Sequence, residues 1–133
     1  MKVFIVVVLI LSSLVSCKEN MELKEIKLSE VFEIEIDKYC ILFYSSSCPS
    51  CIGTIEILNK RYKIRKYAGF LVNLKGLNIS FSEEKVTNVD KKHIDELVFY
   101  TVPYLVYISK NVIEKEVYGY TNIQKENLYI FFE

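Results

Sequence analysis

Apolar positions along this chain fall into short runs whose period switches between two and about 3.6, the signature of strands interleaved with helices. Residues 39–45 form a near-continuous apolar run rich in β-branched and aromatic side chains, which predicts a strand. Its alternation sets Cys40, Leu42 and Tyr44 on one face and Ile41 with Phe43 on the other. Residues 49–67 take helical spacing and stop before Gly69, and Phe70 to Leu74 reads as a second strand. An irregular connection over residues 75–88 turns at Gly76, followed by a short helix over 90–99 with Ile94, Leu97 and Val98 on one side. Residues 102–109 and 112–118 alternate as a hairpin through Lys110-Asn111, and 122–132 close as a helix. Residues 29–37 carry mixed signals: Phe32, Ile34 and Ile36 alternate like a strand, yet Ser29 can cap a helix, and a helix is expected there. The whole predicts a layered α/β domain whose mixed central sheet has about four strands.

The N-terminus follows a different pattern. Lys2 precedes the uninterrupted apolar run Val3 to Leu11, and Ser12-Ser13-Leu14-Val15-Ser16-Cys17 follows, in the order of a signal peptide's charged, apolar and cleavage regions. The run is far shorter than the roughly 20 residues a spanning helix needs. Leu14-Val15-Ser16-Cys17 resembles the bacterial lipobox, whose cysteine takes a diacylglycerol thioether and becomes the first residue of the mature protein. The other reading is an ordinary secretory peptide cut nearby. With a lipobox, residues 1–16 are the signal peptide, 17–27 a lipidated, polar stalk, and 28–133 the folded domain.

Composition supports one core. Apolar residues make up 51% of the chain, and ten Tyr and eight Phe supply much of the filling. Lys+Arg and Asp+Glu balance at 17 each, which argues against a nucleic-acid partner. Lys60, Arg61, Lys63, Arg65 and Lys66 do cluster, but with Tyr62 and Ile64 between them they read as the solvated face of a helix.

Candidate chemistry sits in Cys48-Pro49-Ser50-Cys51, at the turn from the first strand into the long helix. Unpaired N–H groups and the positive end of the helix dipole favour a thiolate there, and one helical turn brings Cys51 to the same side. Cys40 is left over in the strand and reads as a small buried hydrophobe. Zinc would need further ligands; only Cys40 and His93 are available, without a second closely spaced pair. No metal, nucleotide or flavin site is visible in the sequence.

These features together resemble the thioredoxin-like superfamily over residues 26–133. The apolar strand leads into Cys48-Pro49-Ser50-Cys51, Thr101-Val102-Pro103-Tyr104 follows a short helix some fifty residues later, and the hairpin ends in Gly119-Tyr120. The resemblance implies a thioredoxin-like fold, a cis bond before Pro103 opposite the dithiol, and a substrate groove formed by Val102, Pro103, Tyr104 and Gly119. Tyr44, Tyr104 and Tyr120 are its candidate lining. Two departures bear on mechanism. Ser47 stands where many relatives have tryptophan, and Leu42 where they carry a buried acid that moves a proton from the resolving thiol, so Cys51 should resist ionisation. Ser50 offers Cys48 a neutral donor rather than a charge.

The sequence therefore predicts a thiol–disulfide oxidoreductase of the bacterial cell envelope, held by its lipid on the extracytoplasmic side. Cys48 attacks, Cys51 resolves, protein thiols and disulfides are the substrates, and an unidentified redox partner is required. The alternative is a thioredoxin-like accessory lipoprotein whose Cys48–Cys51 bond is structural.

Overall fold

A computed structural model of the chain describes residues 23–133. The signal peptide, the lipobox and Cys17 lie outside the described residues. Five strands form one mixed sheet: β1 (Lys24–Glu25), β2 (Lys38–Tyr44), β3 (Gly69–Asn73), β4 (Tyr104–Ser109) and β5 (Val112–Tyr118), in the order β1-β3-β2-β4-β5. β1 and β2 run parallel to β3, whereas β4 is antiparallel to both β2 and β5. Helices α1 (Pro49–Ile64), α2 (Tyr120–Lys125) and α3 (Leu128–Phe132) complete the fold.

Both faces of the central strands are covered, which is why β2 reads as an unbroken apolar run. Cys40, Leu42 and Tyr44 join Leu71, Leu105 and Tyr107 in one buried cluster with Leu58 of α1. Tyr39, Ile41 and Phe43 join Val72, Tyr104 and Val106 on the opposite face, as the alternation required. The β4–β5 hairpin turns through Lys110 and Asn111, both at positive φ, with a bulge beyond Tyr107.

Several sequence expectations are corrected. Residues 29–37 hold only a 3-10 turn over Leu28–Glu30, after which the chain runs on without regular structure. Val31 is buried there, and its carbonyl accepts from the Tyr39 hydroxyl at 2.8 Å. Residues 90–99 likewise hold a single 3-10 turn, Ile94–Glu96. Asn88 explains that loss: its side chain accepts from Val98 N–H at 2.9 Å and donates to Val98 C=O at 2.8 Å, holding extended a residue that a helix would have coiled. α1 stops at Ile64 rather than 67, since Tyr67 buries its ring and donates to Leu58 C=O at 2.7 Å. The closing helix is two, because the chain is extended at Glu126 and the Asn127 side chain caps the restart.

The sheet gains a fifth strand where a stalk was expected. Leu23 is 7% exposed and β1 pairs with β3, so residues 23–27 belong to the folded unit. Among the described residues no helix is long and apolar enough to cross a membrane.

Candidate functional site

β2 ends at Tyr44, the Ser45-Ser46-Ser47 loop follows, and α1 begins at Pro49, so Cys48 is the helix N-cap. Pro49 at the first helical position has no N–H to lose. The Cys48 Sγ takes the place of a capping oxygen: it accepts from Cys51 N–H at 3.2 Å and lies 3.2 Å from the Ser50 hydroxyl. Cys48 is partly exposed and Cys51 fully buried.

This difference in burial separates the two sulfurs chemically. Desolvation acts to raise the Cys48 pKa, but hydrogen bonds from the Cys51 side chain, the Ser50 hydroxyl and the backbone at residues 50 and 51 outweigh it and lower the value. Burial pushes the Cys51 thiol up to about 12, assisted by its donation to Cys48 and that sulfur's charge. Leu42, fully buried in the same apolar cluster as Cys51, offers no proton acceptor. Residues 39–55, 97–109 and 117–124 carry no charged side chain, so Cys48 is served by neutral donors alone.

The remaining site residues meet at the same end of the sheet. β4 starts at Tyr104 opposite Phe43, one residue short of the end of β2. The Val102–Pro103 bond is cis, Pro103 is buried, and its carbonyl accepts from Gly119 N–H at 2.9 Å. Gly119 has φ 87° and ψ 150°, a conformation open essentially to glycine. Val102 packs against the cluster that holds Cys51. Tyr120 lies across α1, its ring edge 3.2 Å from where a Cβ on Gly53 would stand, and is 37% exposed.

Two candidate groove tyrosines are core residues instead. Tyr44 is buried, with its hydroxyl on Glu25. Tyr104 is fully buried, with its hydroxyl held between Asn88 and Glu116 and its backbone set between Phe43 and Tyr118 in the sheet. Sequence reasoning missed Asn88 and Glu116. Asn88 lies in a stretch without periodicity and its buried partners, Val98 and Tyr104, are ten or more residues away, so no local signal marks it. Glu116 shares a face of β5 with Tyr118, but nothing in the sequence around it marks the buried Tyr104 hydroxyl that it accepts from.

Cys40 is buried in β2, and desolvation pushes its thiol up to about 12. His93 is exposed, and among the described residues no group of three or more His, Cys, Asp or Glu is placed to hold a metal ion.

No family model matches the chain, and no curated protein matches it in sequence. Solved structures do match. A single-site mutant of thioredoxin from Halobacterium salinarum aligns with TM-score 0.54 and 14% identity over 77% of this chain and 82% of its own. Thioredoxin f from spinach chloroplast gives 0.56 and 13% over 75% and 77%, and a putative oxidoreductase with a thioredoxin fold gives 0.55 and 19% over 82% and 94%. At such identity the likeness is one of fold, and the chain adopts the thioredoxin-like α/β fold, with Cys48 and Cys51 at the start of its first helix.

Proposed function

We propose that this chain is a thiol–disulfide oxidoreductase, tethered through a diacylglycerol thioether on Cys17 to the extracytoplasmic side of a bacterial membrane. The observation that carries the redox reading is the inequality of two sulfurs one helical turn apart. Cys48 is partly exposed, with its pKa lowered by neutral donors, and Cys51 is buried, with its thiol pushed up to about 12. The Cys48 thiolate attacks a protein disulfide, forming a mixed disulfide and expelling one substrate thiolate, which takes a proton from solvent. Cys51, once deprotonated, attacks the Cys48 sulfur, closes the Cys48–Cys51 bond and expels the second substrate thiolate. The substrate leaves two electrons richer and the pair is oxidised; with an oxidising partner the same steps run backwards. An extended substrate segment pairs with the backbone of Val102, beside Pro103 and near Gly119, as an added strand.

Trapping tests this reading. Cys51→Ala keeps the first attack and loses resolution, so it should hold partner proteins through Cys48 in adducts that reductant releases, while Cys48→Ala holds none. Equal behaviour of the two variants, with no adduct from either, would sink the reading. The anchor is tested by the mass of the mature N-terminus: diacylglyceryl-Cys17 is expected, and an unmodified N-terminus elsewhere removes the tether.

One observation favours the accessory-lipoprotein alternative. Leu42 leaves Cys51 without an acid to accept its proton, which slows resolution. A reduction potential below about −300 mV would mark an inert structural bond, and one between about −120 and −270 mV an exchange catalyst.

A further inference from the structure

The chain's balanced charge conceals a one-sided stretch. Between Glu56 and Glu83 there is no acidic residue, while Lys60, Arg61, Lys63, Arg65, Lys66 and Lys75 all fall there. Strand direction locates most of them. β2 runs toward the dithiol and α1 starts at Cys48, so α1 returns along the sheet and ends at Ile64, at the opposite end, where β3 begins at Gly69. Lys60, Lys63, Arg65 and Lys66 are exposed at that end, and Ile64 among them is 83% exposed. Arg61 is committed elsewhere, donating to the carbonyls of Ile123 and Gln124.

Bases near a helix C-terminus complement its dipole, which explains Arg61 and Lys63 in the last turn. The dipole gives no reason for so exposed an isoleucine, nor for Lys66 beyond the helix end. Glu133 lies 3.8 Å from Arg65 as an exposed pair, and Asp37 stands at the nearby hairpin turn, where its carbonyl accepts from Lys110 N–H. These two acids offset only part of the positive charge.

The chain reaches the sheet at this same end. β1 is parallel to β3 with Lys24 opposite Phe70, so its N-terminal side points away from the dithiol. Leu23 N–H donates to Asn59 Oδ1 at 3.0 Å, one helical turn before Lys63 on the same face of α1, and Lys24 is exposed alongside. Cys17 is six residues upstream of Leu23, which keeps it within about 20 Å along the chain.

We propose that this end of the domain, formed by Lys24, Lys60, Lys63, Ile64, Arg65 and Lys66, docks on anionic phospholipid headgroups. The Cys48–Cys51 pair then faces away from the bilayer and serves soluble protein partners rather than membrane-embedded ones. The basic side chains meet the headgroup charge and Ile64 enters the interface. The inference rests on the tether of the proposed function, which delivers this end to the membrane.

Lysine acylation footprinting tests it, with the mature full-length protein reconstituted in vesicles of phosphatidylcholine alone or with roughly one-third phosphatidylglycerol. On the anionic vesicles, labelling of Lys24, Lys60, Lys63 and Lys66 should fall several-fold and recover in high salt. Lys75, just past the dithiol-side end of β3, Lys85 over the Tyr118 ring, and the alkylation rate of Cys48 should stay unchanged. Equal labelling on both vesicles, or protection shared equally by Lys75 and Lys85, overturns the proposal. Intact mass reads the tether separately. Unlipidated protein with the anion-dependent footprint keeps the surface and loses the anchor, whereas lipidated protein without it loses the surface alone.

Discussion

Replacing Asn88 with Ala removes the side chain whose hydrogen bonds hold Val98 in the segment leading into Val102-Pro103. The Asn88 amide donates to Val98 C=O at 2.8 Å and to the Tyr104 hydroxyl at 2.9 Å, while its oxygen accepts from Val98 N–H at 2.9 Å. A fourth bond, from Lys91 Nζ at 3.0 Å, reaches toward solvent. At about 1 kcal/mol net for each of the three inner bonds and little for the lysine, the loss is about 3 kcal/mol. Tyr104 keeps Glu116 as a partner, so no further penalty arises from its hydroxyl. Total stabilities of roughly 5–15 kcal/mol leave the variant folded. In urea, with a slope of about 1.5 kcal/mol/M, the midpoint should fall by about 2 M at unchanged slope. Lys91→Met should move it by less than about 0.5 M. Because residues 98–103 approach the dithiol end of the sheet, Asn88→Ala should also slow disulfide exchange under conditions where it is fully folded. A midpoint within about 0.3 M of the wild type would refute the reasoning, since Val98 would then be held without the amide.

Three more outcomes follow from the site. Ser50→Ala removes a donor to Cys48, so the pH midpoint of Cys48 alkylation should rise; an unmoved midpoint would show that the backbone alone holds the thiolate. Gly119→Ala forces a side chain into a glycine-only conformation and should cost about 1–3 kcal/mol by denaturant melting, with a matching loss of exchange through the Pro103 contact. Reduced protein should lose stability in alkali: Cys40 and Cys51 are each pushed up to about 12 from a reference of 9.0, so their contribution is whole below pH 9 and fades as pH rises toward 12. Each contributes a slope of up to about 1.4 kcal/mol per pH unit, and Cys40→Ala should flatten the curve between pH 9 and 10, before tyrosines with raised pKa values join in.

The sequence by itself determined the parts whose cause is local. Alternation over residues 39–45 sorted Cys40, Leu42 and Tyr44 from Ile41 and Phe43, because side chains two apart on a strand share a face. A strand, three serines, then a cysteine before proline located the N-cap thiol, because helix starts leave N–H groups unpaired wherever they occur. Only the tertiary structure decided what depends on distant partners. Residues 90–99 had a helix's periodicity and lost it to an amide ten residues from Val98, while Tyr44 and Tyr104 were drawn from the expected groove into the core by Glu25, Glu116 and Asn88. Lys24 and Glu25 looked like stalk because two charged residues carry no strand signal; the free edge of β3 makes them a strand. Folding also placed the dithiol and the basic end of α1 at opposite ends of the sheet, since a helix that starts where a strand stops must run back along it.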